Sequence, residues 1–134
     1  MTTAKASGAE TTPTRIELGA MGEALAVDYL TRMGLRIMDR NWRSRYGELD
    51  VIAVDDATRT VVFVEVKTRT GDGYGGLAHA VTPLKVRRLR RLAGLWLAAQ
   101  DGRWAAVRID VIGVRIGPRN SGRVPEISHL QGIG

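Results

Sequence analysis

The 134-residue chain contains no cysteine, one phenylalanine and four prolines. Without cysteine it has no thiol nucleophile, disulfide framework or zinc knuckle. No run approaches the roughly 18 apolar residues that cross a bilayer, since the longest candidates, such as Val61–Val64, have the length of a strand. The opening segment lacks the apolar core of a signal peptide. We therefore expect one domain, located in the cytoplasm and without membrane contact.

Acidic residues are also scarce, because 14 Asp and Glu stand against 20 Lys and Arg, giving a formal net charge of +6. Lys85–Arg91 carries five positive charges in seven residues and no acid. This distribution favours an anionic partner, above all nucleic acid bound through its phosphates. However, 17 of the 20 basic residues are arginine, so a compositional bias explains the excess of charge as readily.

Two helices are predicted from their N-terminal caps. Thr14 and Glu17 form a capping box that begins a helix over Arg15–Met33. Thr82 followed by Pro83 begins a second helix that runs to about Gln100. Apolar runs rich in β-branched residues predict strands at Leu35–Arg43, Leu49–Val54, Thr60–Thr68 and Trp104–Arg115. The order α-β-β-β-α-β predicts an α/β fold with a mixed central sheet flanked by helices.

This domain is expected to occupy residues 14–116. Residues 1–13 predict a disordered tail, and residues 117–134 a loosely ordered one in which Val124–Leu130 is able to dock. Thr70–Gly76 is rich in glycine and predicts a loop, which is either a flap over DNA or a plain connection.

The strand Thr60–Thr68 contains two charged residues on one face. Side chains alternate along a strand, so Phe63, Glu65 and Lys67 share a face. Burying a carboxylate and an ammonium costs several kcal/mol each unless they are paired or liganded. An isolated Glu-x-Lys pair is usually a salt bridge at the end of a strand.

A second carboxylate changes this interpretation. Asp50 begins the preceding apolar strand, and a hairpin about Asp55–Arg59 can bring it close to Glu65. Two close carboxylates repel unless one is protonated or a cation lies between them. Oxygen ligands with open positions suit Mg²⁺ or Mn²⁺, which we expect to be held by Asp50, Glu65 and the backbone carbonyl of Val66. Lys67 would then assist the attacking water or stabilise developing charge on a phosphate.

Glu23 is a third candidate on the first helix. Its neighbours at helical spacing, including Ala26 and Leu30, are small or apolar, so Glu23 is expected on the buried face. It either anchors the helix to the sheet by hydrogen bonds or contributes to the metal site, directly or through water.

Five short segments carry a family resemblance: Gly22-Glu23, Arg40–Arg43, Gly47–Ala53, Phe63–Arg69 and Arg108–Val111. In this order, over about residues 15–115, the chain resembles the YraN-type family of uncharacterised bacterial proteins. That family is similar to archaeal Holliday-junction resolvases of the PD-(D/E)XK nuclease superfamily. The resemblance implies a restriction-endonuclease-like core with Asp50, Glu65 and Lys67 in the catalytic positions and Glu23 as the helix carboxylate. Leu49 departs from the proline of the superfamily's name.

Further basic residues are candidates for nucleic-acid contacts. Lys85 shares a helical stripe with Leu89 and Trp96. It resembles an auxiliary lysine near the active site of such nucleases, or it snorkels at the rim of the core. The remaining candidates precede the Asp50 strand, follow Lys67 or lie on the basic helix: Arg43, Arg45, Arg69, Arg87, Arg88 and Arg91. For the helix arginines, a solvated face is the alternative.

Other polar residues are interpreted as structural. Arg108 and Asp110 share one face of the last predicted strand and predict an ion pair. His79 and His129 have no matching ligand spacing and are expected at the surface.

Together these observations predict a metal-dependent endonuclease that hydrolyses DNA, with branched or Holliday-junction DNA as a candidate substrate. One alternative is a catalytically inactive protein that binds nucleic acid with the same fold. Another is an interaction protein whose basic helix faces a protein partner. The resolvase resemblance also favours a homodimer, because a two-fold symmetric enzyme can cut a four-way junction symmetrically.

Overall fold

The computed structural model describes residues 13–70, 76–118 and 121–134. Its elements in chain order are helix α1 (Arg15–Arg32), strands β1 (Arg36–Ser44), β2 (Gly47–Asp55) and β3 (Thr60–Thr70), a short 3₁₀ helix (Leu77–Ala80), helix α2 (Pro83–Ala98), and strands β4 (Ala106–Ile116) and β5 (Glu126–Leu130). The predicted α/β fold and its α-β-β-β-α-β order are confirmed, and β5 is added at the end. Of the tail predicted at residues 1–13, residues 1–12 lie outside the described residues, and so do residues 71–75 of the predicted loop Thr70–Gly76.

The five strands form one mixed sheet in the order β1-β2-β3-β4-β5. Strands β3 and β4 are parallel, and the other neighbouring pairs are antiparallel. Parallel neighbours need a crossover connection, which here contains α2. The central strand β3 is therefore hydrogen-bonded on both sides and carries its side chains into both faces of the domain.

The helices cover opposite faces of this sheet. Val61 and Phe63 pack with Trp96 and other residues of α2, whereas Val62 and Val64 pack with Ala26 and other residues of α1. This alternation along β3 agrees with the predicted period of two. Since apolar residues fill both faces, the charged residues of β2 and β3 gather where the apolar runs end.

Both helices begin at the predicted caps. The Thr14 hydroxyl accepts a hydrogen bond from the Glu17 N–H, and the Glu17 carboxylate accepts one from the Thr14 N–H. The Thr82 hydroxyl accepts from the Lys85 N–H, with Pro83 at the first helical position. These bonds satisfy N–H groups that have no partner within the helix. Neither helix is long and apolar enough to cross a membrane within the described ranges.

The C-terminal segment is more regular than the sequence indicated. Within the tail predicted to be loosely ordered, the segment Val124–Leu130 was expected to be able to dock, and its residues Glu126–Leu130 form β5 and pair with β4. The surface position predicted for His129 is wrong, because only 6% of its side chain is exposed. Its ring lies between the Tyr29 hydroxyl and the Asp110 carboxylate, at 2.9 Å and 2.8 Å. The predicted Arg108–Asp110 ion pair is confirmed at 2.9 Å, and it joins the same network.

Candidate functional site

Asp50 and Glu65 meet where the sheet divides. Strands β2 and β3 pair from Asp55–Thr60 to Val51–Val64, and the next position of this register would set Asp50 opposite Glu65. The β2–β3 ladder ends there, while β2 continues beside β1 and β3 beside β4. The two predicted carboxylates therefore lie at the opening of a fork in the sheet.

The backbone around Asp50 departs from regular strand geometry. Leu49 and Ile52 belong to the core on the α2 side, whereas Val51 belongs to the core on the α1 side. Regular alternation would put Leu49 on the α1 side, so the period of two breaks at Asp50. The position opposite Asp50 in β1 is Asn41, which has a φ of 52°. Asparagine tolerates this left-handed conformation better than most residues.

A hydrogen bond crosses the fork. Oδ2 of Asp50 accepts from the backbone N–H of Val66 at 2.8 Å. Because the N–H and C=O of one strand residue point toward the same neighbouring strand, the Val66 carbonyl lies on the side of Asp50. The Asp50 side chain thus replaces the backbone carbonyl that would accept this hydrogen bond in a regular β2–β3 ladder. Between the two strands it leaves an opening that is lined by oxygen atoms.

Two lysines surround the Glu65 carboxylate. Nζ of Lys85 lies 2.8 Å from Oε2 of Glu65, and Nζ of Lys67 lies 3.8 Å from the same oxygen. Burial lowers the pKa of Lys85, but hydrogen bonds to Glu65 and Lys67 outweigh it and raise that pKa above its ordinary value. The neighbouring Lys85 ammonium, followed by burial, lowers the pKa of Lys67. The structure therefore places Lys85 in the carboxylate site rather than on the outer helix surface.

Asp50 takes part in no ion pair within the described part of the chain, although its charge acts on the nearby Lys67 and opposes the lowering of that lysine's pKa. The pKa of Asp50 is raised to about 7. Burial is the largest cause, the hydrogen bond from the Val66 N–H opposes it, and the charges of Glu65, Glu48 and Glu23 add to it. Negative potential is thus concentrated on Asp50, which a bound cation would relieve.

Glu23 is buried on α1, as the helical pattern predicted. Its Oε1 accepts from Nε and Nη2 of Arg40, at 3.1 and 3.0 Å, and from Nδ2 of Asn41 at 2.9 Å. These bonds tie α1 to β1, in agreement with the interpretation as an anchor. Glu23 nevertheless lies close enough to raise the pKa of Asp50, so it also acts on the site electrostatically.

The donor set has the chemistry that Mg²⁺ or Mn²⁺ prefers. Among the described residues, Oδ1 of Asp50 and Oε1 of Glu65 form no hydrogen bond or ion pair, and the Val66 carbonyl lies on the same side. Among the described residues there is, however, no group of three or more His, Cys, Asp or Glu side chains arranged to hold a metal. Any ion would therefore depend on two carboxylates, backbone oxygen and water.

The predicted phosphate-binding arginines divide between two places. Arg45 and Arg91, from the β1–β2 turn and α2, both lie against the ring of Tyr46. Arg43 pairs with Glu48 at 3.4 Å, and Arg87 and Arg88 are exposed on α2. Arg69 is exposed at the end of β3, where with Lys67 it borders a cavity of about 120 Å³ between β3, β4 and β5.

Two residues of the site were missed in the sequence. Asn41 gives no signal in isolation, because its role depends on a positive φ opposite Asp50. Tyr46 lies directly between a basic residue and a turn glycine, in the segment Arg45-Tyr46-Gly47. An aromatic residue beside arginine in a turn is the one local signal that pointed to it.

This chain is similar to known proteins along nearly its whole length. The UPF0102 protein of Mycobacterium tuberculosis is 85% identical over 123 residues, which covers 92% of this chain and 96% of that protein. The corresponding protein of Mycobacterium avium is 82% identical over 125 residues, covering 93% and 95%, and that of Mycobacterium ulcerans 73% over 123 residues, covering 92% and 98%. Residues 22–114, which include every carboxylate and lysine of the site, match a family described as uncharacterised. The chain therefore belongs to the uncharacterised protein family UPF0102.

Proposed function

We propose that this protein is a divalent-metal-dependent endonuclease of the PD-(D/E)XK type that hydrolyses phosphodiester bonds in DNA. The observation that carries the proposal is the fork, where Asp50 and Glu65 meet beside Lys67 and Lys85 at the end of two apolar strands. Asp50 forms no ion pair there with any residue that the structure describes. A purely structural salt bridge would need only the Glu65–Lys85 pair, so the unpaired Asp50 favours a functional site.

Asp50, Glu65 and the Val66 carbonyl would hold Mg²⁺ or Mn²⁺, which as a Lewis acid supplies an activated water and stabilises negative charge on the phosphate. Asp50 is fixed for this purpose by its bond to the Val66 N–H. Glu65 is oriented by Lys85 at 2.8 Å. The chain thus holds both carboxylates in place without filling all their oxygen positions.

Lys67 has a separate role in this proposal. It lies 3.8 Å from Glu65, and about a third of its side chain is exposed, so its ammonium is able to reach a bound phosphate. There it stabilises the charge that develops during hydrolysis or orients the attacking water. Glu23, held by Arg40 and Asn41, adds negative potential that favours the metal.

The wider proposal follows from the nuclease resemblance. A cytoplasmic location suits an enzyme of bacterial DNA, and a homodimer suits a branched or Holliday-junction substrate, which has two equivalent strands to cut. The net charge of +6 supports an anionic substrate such as DNA.

One observation favours the alternative of a DNA-binding protein without catalysis. Glu65 is already paired with Lys85, and Glu23 with Arg40. With these ion pairs in place, the acidic residues of the described chain do not form a ready group of three metal ligands. On this alternative, DNA binding depends on the exposed arginines and not on Asp50.

The test is to incubate the protein with linear, flapped, nicked and four-way-junction DNA in Mg²⁺ or Mn²⁺, beside Asp50→Asn. Asparagine keeps an acceptor for the Val66 N–H but loses the charge. Asp56→Asn is the matched control, because Asp56 pairs with Arg36 at the far end of β2. We expect cleavage by the wild type and Asp56→Asn, and none by Asp50→Asn with DNA binding retained.

The other outcomes are equally informative. Binding without cleavage by any of the three proteins would overturn hydrolysis and support the binding alternative. Cleavage by Asp50→Asn at the wild-type rate would rule out the fork as the active site. A chain that binds no DNA would contradict both functions.

A further inference from the structure

Tyr46 brings together two arginines from different elements. The guanidinium carbon of Arg91, on α2, lies 3.9 Å from the centre of the Tyr46 ring, and that of Arg45, in the β1–β2 turn, lies 5.1 Å from it. Both distances are within the range of attraction between a guanidinium and an aromatic face. The exposed fraction of Tyr46 is 41%, so the ring and its two arginines lie at the surface.

The position of the ring is set by close packing beneath it. A Cβ added to Gly47 would lie 3.3 Å from Cδ1 of Leu92, so the turn rests directly on α2. Gly47 has a φ of 142°, which disfavours other residues. Since Gly47 follows Tyr46 and Leu92 follows Arg91, this contact fixes the ring against the basic helix.

The two guanidiniums keep their hydrogen-bonding capacity. Neither Arg45 nor Arg91 forms an ion pair or a side-chain hydrogen bond within the described residues. Stacking on a ring does not use the N–H groups, which point outward in the plane of the guanidinium and match the oxygens of a phosphate. The arrangement thus presents donors that are oriented in advance but not satisfied.

This surface continues toward the fork. Tyr46 precedes Asp50 by four residues, which is about 13 Å of extended strand. Arg91 follows Lys85 by six residues, which is about 9 Å along a helix. Arg88 lies between Lys85 and Arg91 on α2 and is exposed. A strand of DNA whose scissile phosphate is at the fork would therefore reach the Tyr46 ring a few phosphates away.

We propose that Arg45 and Arg91, held in place by Tyr46, form a binding site for one backbone phosphate of the DNA. Tyr46 is a positioning residue in this site, because it acts through the two guanidiniums. The proposal rests on the proposed function for the identity of the ligand, but not for hydrolysis. It separates Arg45 and Arg91 from Arg43, whose guanidinium is occupied by Glu48.

The test measures binding of a short fluorescein-labelled DNA duplex by anisotropy, without divalent metal, over a range of salt concentrations. We expect Tyr46→Leu to weaken binding about three- to fivefold at low salt, and Tyr46→Phe, which keeps the ring, to restore it. Arg45→Ala and Arg91→Ala should each reduce the slope of log affinity against log salt by about one. In the Tyr46→Leu background the effect of Arg91→Ala should be smaller. Arg32→Ala, which removes the same charge on the opposite face of the sheet, is the matched control.

A thermal melt of each variant separates folding from binding. Loss of binding by Tyr46→Phe equal to that of Tyr46→Leu would overturn the role of the ring. Wild-type affinity and salt slope in folded Tyr46→Leu would overturn the site and leave hydrolysis untouched. Conversely, Tyr46-dependent binding in a protein that cleaves no DNA would support this site and remove the catalytic proposal.

Discussion

The carboxylate of Asp50 accepts a hydrogen bond from the backbone of Val66 at 2.8 Å, in the place where β2 and β3 stop pairing. A side chain thus replaces a ladder bond, and the two strands can separate without leaving the Val66 N–H unpaired. The same bond fixes one oxygen of a carboxylate that forms no ion pair among the described residues. Burial favours the protonated, neutral form of Asp50 in the folded chain, whereas the proposed metal site needs its charged form.

The first prediction concerns the pH dependence of folding. The pKa of Asp50 rises from 3.8 to about 7 in the folded chain. The folded state then binds a proton that the unfolded state has lost, so the contribution of Asp50 is complete below pH 3.8 and is lost as the pH rises through about 7. Its full size is on the order of 4 kcal/mol, since each pKa unit is about 1.4 kcal/mol. Urea unfolding of the metal-free protein between pH 4 and 8 measures it.

Asp50→Asn should remove that part of the slope and be more stable than the wild type above pH 7. Adding Mn²⁺ should stabilise the wild type at pH 8 and leave Asp50→Asn unchanged, because a ligand raises stability only if the folded state binds it. An identical pH profile for both proteins would show that Asp50 is not the titrating group.

The second prediction concerns the two lysines. The neighbouring Lys85 ammonium is the main cause that lowers the pKa of Lys67. If Lys67 acts as a cation, the cleavage rate should fall at alkaline pH as Lys67 loses its proton. This fall should occur at a pH below the ordinary pKa range of lysine. Lys85→Met removes that cause and should shift the alkaline limb of the kcat/KM profile upward. If activity instead rises with pH through the pKa of Lys67, and Lys85→Met moves that rising limb upward, the cationic role would be contradicted and Lys67 would act as a base.

Much of the fold could be predicted because its signals are local. Thr14 with Glu17 and Thr82 with Pro83 define helix starts within a few residues, and the period of two along β3 assigns Glu65 and Lys67 to one face. That Asp50 and Glu65 lie near each other follows from one short hairpin. Their proximity is therefore the feature of the site that the sequence predicts most directly.

The remainder depends on contacts between distant segments. Tyr29 and His129 are 100 residues apart in the chain, and neither shows in its own neighbourhood that the other is its partner. The weakly patterned segment that forms β5 becomes a strand because β4 offers it an edge. Likewise, Arg91 meets Tyr46 only because α2 crosses the face of the sheet beneath the β1–β2 turn.

The third prediction uses two glycines of α1. A Cβ at Gly22 would overlap the side chain of Thr68, next to the fork, whereas a Cβ at Gly19 would meet nothing within 4 Å. Gly22→Ala should lower the free energy of unfolding by about 1–3 kcal/mol, because the helix must move away from β3. Gly19→Ala should raise it by up to about 1 kcal/mol through helix propensity. Chemical denaturation compares the two variants, and a stabilising Gly22→Ala would disprove the close contact.

The fourth prediction concerns the buried network on β4. Asp110 is fully buried and accepts hydrogen bonds from Nε and Nη2 of Arg108 and from the backbone of Gly132, with Nε2 of His129 at 2.8 Å. A neutral imidazole with its proton on Nε2 donates to Asp110 and accepts from the Tyr29 hydroxyl, so each group is satisfied. The network joins α1, β4 and β5 on the side of the sheet away from α2.

His129→Ala should therefore lower the free energy of unfolding by about 1–3 kcal/mol, since it leaves a buried carboxylate oxygen without one partner. Asp110→Ala should cost more, about 3–5 kcal/mol, because the Arg108 charge then loses its counter-ion in a largely buried setting. His79→Ala is the matched control, since His79 is exposed on the 3₁₀ helix, and it should change stability by no more than about 0.5 kcal/mol. Urea denaturation measures the effect of each variant on stability, and DNA-binding assays on the folded fraction measure its effect on affinity. Together they distinguish a structural role of this network from the proposed role of the fork in DNA binding and hydrolysis. If His129→Ala and His79→Ala are equally stable, β5 is held by its backbone hydrogen bonds to β4 alone. If His129→Ala instead loses much of its free energy of unfolding while its DNA affinity is unchanged, the network has a purely structural role.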